Sequence, residues 1–265
     1  MTDRRKFVLG SIDGGEETDL YATNPNWFRS VFDSGMQEVE GAKRSFVIRA
    51  ADSAGRRSSA AMLVNKMYTW RGYGDGHTIE DHPDQMALVA TDYREGSAIG
   101  TLTVSLDGPR RLLADRMYPV EVQGLRDSGA VLCEIVKFAV DRSVRQKTLL
   151  TALFHVAFIY AYFLAKRTDL VIEVTPQHAL FYRHMLHFEQ VGEEKLNTRV
   201  NTRGVLLRLN LEHAAEQIRR FGGQGEASEE RSLYPYAFSE REQQGVVDRL
   251  SKLESDTPAE ASPRG

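Results

Sequence analysis

With 265 residues the chain is long enough to bury a sizeable core. Its 34 Lys plus Arg against 37 Asp plus Glu leave a formal net charge of -3, which excludes a global field that would draw in nucleic acid or an anionic membrane. A lone cysteine, Cys133, excludes an internal disulfide framework and any multi-cysteine zinc site, and fits a reducing, cytoplasmic setting.

Residues 1–42 are polar and mixed, with Asn24-Pro25-Asn26 as a turn signal, and read as an N-terminal arm without a sustained apolar signal region. Ser45 to Ala51 predicts a strand, after which Asp52 or Ser53 caps a helix to about Arg71 that lines up Ala60, Leu63, Val64 and Met67. Gln85–Asp92 and Ser97–Leu106 are β-rich runs joined by Tyr93-Arg-Glu-Gly96, hence a hairpin. A variable stretch with a helical fragment around Val122 to Arg126 leads to a strand from Val131 to Val140. A long helix from about Val144 to Lys166 follows. The charge-free run TLLTALFHVAFIYAYFLA at Thr148 to Ala165 is nearly membrane-length, but its His, Tyr and Thr content predicts a buried core helix instead. Asp169–Val174 is a strand, Pro176 opens a helix to Leu186, Gly204–Leu211 is a late strand, and Leu211–Phe221 is a helix. After Gly222-Gly-Gln-Gly225 the composition turns to Glu, Ser, Gln and Pro, so 222–265 is expected to be a polar tail. A capping box at Ser239 and Glu242 opens a short helix within it. Residues 43–221 then form one domain with a mixed α/β sheet and helices on both faces.

Five segments in order carry a family resemblance: Phe46-Val-Ile-Arg-Ala-Ala, Ile99-Gly-Thr-Leu-Thr-Val-Ser-Leu-Asp, Leu132-Cys-Glu-Ile-Val-Lys-Phe-Ala-Val-Asp, Glu173-Val-Thr-Pro-Gln-His-Ala-Leu-Phe-Tyr-Arg-His-Met-Leu-His-Phe-Glu, and Arg199-Val-Asn. Together they resemble N-acyl amino acid synthases of the FeeM type, within the Gcn5-related acyltransferases. Glu134-Ile-Val-Lys-Phe-Ala-Val140 also echoes the Glu-Cys-Ser-Arg-Phe-Ala-Val motif of acyl-homoserine lactone synthases, with Lys137 replacing the arginine. The resemblance implies two central parallel strands, Val131–Val140 and Asp169–Val174, that splay apart to admit the pantetheine arm of an acyl thioester. It further implies a bulge in the first of these strands that frees a backbone N–H as oxyanion donor. No tightly bound cofactor and no metal are expected.

Acyl transfer to an amine needs a base, oxyanion donors and an acid for the leaving thiolate. Alternation puts Leu132, Glu134, Val136 and Phe138 on one face, so the Glu134 carboxylate projects among apolar neighbours and its pKa rises; the alternative is a structural buried ion pair. Lys137 lies on the opposite face unless a bulge intervenes, and meets either the substrate carboxylate or an acid. Tyr182 resembles the tyrosine that protonates the thiolate, though its interval to His187-Phe188 is one residue longer than the family's usual one, and a packed core tyrosine is the alternative. Asp81 and Asp84 resemble the paired acids that hold the amine substrate in the lactone synthases, and they equally fit a solvated turn. Thr101, in the second motif, joins them as a substrate-side candidate. Arg49, Arg94, Arg126 and Lys137 are candidate cations for the acceptor's carboxylate. His178 and His184 lack metal spacing. Met62, Met67, Met86, Phe154, Phe158, Tyr160 and Phe163 are adaptable enough to line an acyl slot, or to be ordinary core.

The segment after the first splayed strand, Asp141-Arg-Ser-Val-Arg-Gln-Lys147, has no glycine to bring backbone N–H groups up to a pyrophosphate. Val140, Arg142, Arg145 and Lys147 therefore point to an acidic acyl carrier protein, with its single-phosphate phosphopantetheine, as donor and partner. The expected activity is transfer of a long-chain acyl group to the α-amine of an amino acid. The alternatives are a lactone-synthase-like enzyme or a non-catalytic carrier-binding module.

Overall fold

The computed structural model describes residues 46–144 and 147–255. The expected N-terminal arm, residues 43–45, Arg145 and the end of the chain lie outside the described residues.

Strand β1 (Phe46–Ala50) leads into helix α1 (Ala54–Trp70), whose N-cap is Ser53: its Oγ accepts from the Arg56 N–H at 3.4 Å. Strands β2 (Gln85–Asp92) and β3 (Ala98–Leu106) form the predicted hairpin. A 3₁₀ turn (Leu113–Arg116), which nothing in the sequence announced, precedes α2 (Pro119–Asp127) and β4 (Leu132–Val140). The predicted long helix is present over Lys147–Leu164, but its last part changes pitch: α3 (Lys147–Phe158) continues as a π-helical segment (Ile159–Leu164). β5 (Asp169–Val174), α4 (Pro176–Leu186), the short β6 (Glu189–Gln190) and β7 (Lys195–Asn197), β8 (Thr202–Asn210), α5 (Leu211–Phe221) and α6 (Glu240–Ser255) complete the order.

The sheet runs β1-β2-β3-β4-β5-β8-β6, with β7 also on β8. All pairings are antiparallel except β4 with β5. That parallel pairing covers only Leu132 with Asp169, Cys133 with Leu170 and Glu134 with Val171; beyond Glu134 the two strands no longer pair, which leaves a wedge between them. One face of the sheet carries α1 and α2 over Val89, Leu132, Ala139 and Val171, and the other carries α3, α4 and α5 over Leu102, Cys133, Ile135 and Leu207. The segment Lys147–Leu164 is long and apolar enough by length and composition to cross a membrane, yet 72% of it is buried as the central helix of that second layer.

The expectation of a polar tail after residue 221 is overturned. Leu233, Tyr234, Ala237, Phe238 and Val246 are buried in the main core. The Tyr234 hydroxyl donates to the Leu186 carbonyl at 2.7 Å, the Phe238 N–H donates to His155 Nδ1 at 2.8 Å, and the Phe238 ring stacks on that imidazole. Gly222 makes the turn possible, because a Cβ there would lie 2.6 Å from the Ile218 carbonyl oxygen and 2.7 Å from that of Phe238. Average polarity misled here: a handful of large apolar side chains, spaced between charged ones, suffices to anchor a strap of chain. Of the Ser239 and Glu242 box the return half is formed: the Ser239 N–H and hydroxyl both donate to Glu242 Oε2.

Candidate active site

Glu134 stands at the apex of the wedge, the last residue of β4 still paired with β5. It is 1% exposed, and burial pushes its carboxyl pKa up to about 8, against the opposing pull of two backbone N–H groups. Those groups, Leu113 N–H at 2.7 Å and Ala114 N–H at 3.3 Å, come from the 3₁₀ turn and both bond Oε2. Oε1 has no hydrogen bond among the described residues, which leaves its lone pairs for a proton. Glu173 and Asp115 nearby add a smaller upward push. The partner is thus a backbone turn and not a cation, so the buried ion pair weighed as an alternative is absent among the described residues.

The bulge in β4 exists: Thr101 pairs with Ala139 but Thr103 pairs with Val136, so β4 carries one extra residue. Lys137 takes it up with φ of 52°, in the left-handed region. The consequence corrects the simple alternation: Phe138 points with Ile135 toward α3, its ring 5.4 Å from Phe154, and not with Glu134. The Lys137 ammonium donates to the Thr78 carbonyl at 2.6 Å, and burial holds its pKa below the usual lysine range while Glu80 pulls it back up.

Tyr182 projects from α4 across the wedge, its ring 5.9 Å from Phe154 and 5.9 Å from Phe188. Phe154 therefore floors the gap, touching Phe138 of β4 on one side and Tyr182 on the other. Burial pushes the Tyr182 phenol far above its ordinary pKa, and its hydroxyl makes no hydrogen bond among the described residues.

Other expected site residues fall elsewhere. Arg126 is spent on two bidentate pairs, to Asp107 at 2.7 and 2.9 Å and to Asp115 at 2.6 and 2.7 Å, and is largely buried, so it is not available to a substrate carboxylate. Arg94 sits at the exposed tip of the β2–β3 hairpin, beyond the end of β4. The Thr101 hydroxyl is fully buried and donates to the Leu88 carbonyl at 2.7 Å. Asp81 is exposed and pairs with Arg57 at 2.9 Å. The Asp84 carbonyl takes the Leu106 N–H at 2.8 Å, one position along β3 from Ser105, the strand partner of Glu134. At the far end of β4, Val140 pairs with Gly100, Arg142 lies 3.9 Å over the Trp70 ring, and Lys147 opens α3 near the Tyr236 ring.

Two groups went unnoticed in the sequence. Gln85, Ser105 and Glu134 form one row across β2, β3 and β4, with Gln85 Nε2 donating to Ser105 Oγ at 3.2 Å. Among the described residues, Gln85 Oε1 and the neighbouring Thr103 Oγ1 are buried without partners. The alternation of Thr101, Thr103 and Ser105 with Leu102 and Val104 was the available signal. Second, Arg71, at the C-cap of α1, lies close enough to Tyr68, His178 and Tyr182 for its charge to lower the pKa of each, and it has no carboxylate partner among the described residues. No group of three His, Cys, Asp or Glu suited to a metal occurs among the described residues.

A mixed sheet whose two parallel strands part around a desolvated carboxylate defines the class: the chain has the GNAT acyltransferase fold. Among solved structures it is similar to FeeM, an N-acyl amino acid synthase from uncultured soil microbes, with a TM-score of 0.56 and 24% identity over 66% of this chain and 95% of that one. It is also similar to an acyl-CoA N-acyltransferase from Pseudomonas aeruginosa (TM-score 0.44, 16% identity, 63% of this chain and 99% of that one). The AHL synthase LasI gives a TM-score of 0.46 at 16% identity over 64% of this chain and 91% of that one. No curated protein sequence matches the chain. The family model of the N-acyl amino acid synthase FeeM matches residues 59–210, more than half of the chain, and the chain belongs to that family. It is an N-acyltransferase.

Proposed function

We propose that the protein transfers a long-chain fatty acyl group from acyl carrier protein to the α-amine of an amino acid, with Glu134 as general base. The observation that carries this is the unbonded Oε1 of a carboxylate at the wedge apex, with a pKa of about 8. Such a group is an effective proton acceptor near neutral pH. The base takes the ammonium proton, the amine attacks the thioester carbonyl, and the bulge at Lys137 turns a backbone N–H toward the oxyanion. As the C–S bond breaks, Tyr182, kept protonated by burial, gives its proton to the departing thiolate, the second proton of the attacking nitrogen returns to the Tyr182 phenolate, and Arg71 and Lys137 hold the acceptor's carboxylate.

The carrier protein is favoured over coenzyme A by the turn after β4. There the Ser143 N–H donates to Asp141 Oδ1 at 2.9 Å and the Val144 N–H to the Asp141 carbonyl at 2.9 Å. The Asp141 carboxylate and the Asp141 main-chain carbonyl thus each already occupy a backbone donor that a pyrophosphate would need. Arg142, Arg145 and Lys147 then serve an acidic carrier surface, in the cytoplasm.

The test is incubation with hexadecanoyl acyl carrier protein, or separately hexadecanoyl coenzyme A, and a mixture of amino acids, read by mass spectrometry. An N-acyl amino acid formed faster from the carrier thioester is the expected result. Product from coenzyme A alone would overturn the donor, and a homoserine lactone product would overturn the acceptor chemistry.

A further inference from the structure

Behind the wedge, between α3, α4, α5 and the strap at 233–237, lies an apolar cavity of about 40 Å³. Phe154 belongs to both: one side of its ring floors the wedge between Phe138 and Tyr182, and it also lines the cavity with Phe158, Leu170, Leu186 and Leu209. The outer wall is Leu211, Ala214, Ile218, Leu233, Tyr234 and Ala237, all beyond residue 210, where the family match ends.

The polar groups on the lining are all turned to partners and offer nothing to water. Thr151 Oγ1 donates to the Lys147 carbonyl at 2.8 Å, and the Tyr234 hydroxyl donates to the Leu186 carbonyl. His155 Nδ1 accepts from the Phe238 N–H while Nε2 donates to Gln243 Oε1 at 3.0 Å. Burial lowers the His155 pKa to about 4, so the ring is neutral at physiological pH. A cavity with satisfied polar groups and an apolar interior stays dry and favours hydrocarbon. Its volume suits roughly one or two methylene groups, the end of a chain and not its length.

We propose that this cavity receives the terminal carbons of the acyl chain, and that the 233–237 strap is the stop that sets the longest chain accepted. This rests on the acyl-transfer reading for the identity of the ligand. Hydrogen bonds with named partners hold the strap, among them Leu233 N–H to Met185 carbonyl at 2.9 Å, Tyr234 hydroxyl to Leu186 carbonyl, Gly223 N–H to Ala237 carbonyl at 2.8 Å, and, just past its end, Phe238 N–H to His155. It is therefore a fixed wall, and side-chain volume on it converts directly into chain length.

The experiment uses hexadecyl- and decyl-pantetheine thioethers, inert analogues of the donor arm, and measures their affinity for the full chain by calorimetry, alongside turnover of the matching thioesters. Each methylene buried is worth about fourfold in affinity. Ala237→Leu, which fills the cavity, is expected to weaken the hexadecyl compound about tenfold relative to the decyl one. Ile218→Ala, which enlarges it, is expected to shift the ratio the other way. A loss of folded protein lowers both affinities together and leaves the ratio alone, so the ratio reads the pocket. A ratio unchanged in both variants, or moved in the same direction by both, overturns the proposal. The binding arm stands without catalysis: a shifted affinity ratio with no N-acyl product would uphold the pocket and sink the acyl-transfer reading, and product with an unshifted ratio would do the reverse.

Discussion

Replacing Glu134 by Gln separates the cost of the base from its use. Both backbone bonds to Glu134 fall on Oε2, so the Gln amide oxygen can accept them and the NH₂ replaces Oε1 without a change of shape. What disappears is titration. The pKa of Glu134 is raised from 4.5 to about 8 on folding, so the folded protein holds this proton more tightly than the unfolded chain does. The stability this provides is complete below the unfolded pKa and is lost as pH rises through the folded one. From those two values the group's ionisation costs the fold about 1 kcal/mol at pH ~5 and about 3 kcal/mol at pH ~7. Urea unfolding of wild type and Glu134→Gln at the two pH values should therefore show the variant gaining about 2 kcal/mol relative to wild type between them. The same substitution should lower kcat by roughly a hundredfold to ten-thousandfold and remove the rising limb of the pH–rate profile, which in the wild type climbs to a plateau near the pKa of about 8. A stability difference independent of pH would mean that the carboxylate is not desolvated, and a kcat within a few fold of wild type would place the base elsewhere. Either result refutes the reasoning.

Tyr182→Phe removes a hydroxyl with no hydrogen bond among the described residues, so unfolding should change by under about 0.5 kcal/mol while kcat falls; an unchanged kcat would remove Tyr182 from the chemistry. Lys137 has φ of 52°, so Lys137→Val should be about 1–2 kcal/mol less stable than Lys137→Asn, whose side chain tolerates that conformation, and equal denaturation midpoints would contradict this. Arg126→Ala strands Asp107 and Asp115 with little solvent and should cost about 3–5 kcal/mol, with no separate effect on the acceptor KM once folded protein is counted. Arg71→Gln should raise the KM of the acceptor amino acid about ten- to a hundredfold with the donor KM unchanged, and should leave the corresponding amino acid amide unaffected. A raised donor KM instead would assign Arg71 to the phosphate of the donor arm.

Strand and helix identity was legible because the periods are clean: β2 was read to the residue, and α1 shows its four predicted core residues buried. The reading failed where one residue changes the period or where a partner is remote. A single inserted residue at Lys137 moved Phe138 to the opposite face, and period-two alternation carries no mark of an insertion. Arg126 looked like any surface-helix arginine; its carboxylates lie 11 and 19 positions away along the chain. Glu134, which the structure does bury, was singled out because a charge in an apolar strand is conspicuous. The turn that steadies it, Leu113–Arg116, was not, since it contributes only backbone N–H groups that any sequence can offer.

On the proposed function, the coincidence of Glu134 and the wedge has a physical reason. Beyond Glu134 and Val171 the facing edges of β4 and β5 pair with nothing in the sheet among the described residues, although β4 still pairs with β3 and β5 with β8 on their outer edges. Unpaired N–H and C=O groups inside a fold are costly and call for a partner. An arm bearing amide groups, as the phosphopantetheine of the proposed donor does, would supply that partner in the manner of an added strand. Its direction is then fixed by the walls, with the reactive carbonyl arriving where the walls meet, at the one position where β4 carries a carboxylate. On that reading the destabilisation borne by an opened sheet and by a desolvated Glu134 would be relieved together when donor and acceptor bind. Donor binding should accordingly raise the thermal unfolding midpoint by more than the same arm does in a variant whose wedge is filled by Val136→Phe, and an equal rise in both would mean that the arm binds outside the wedge.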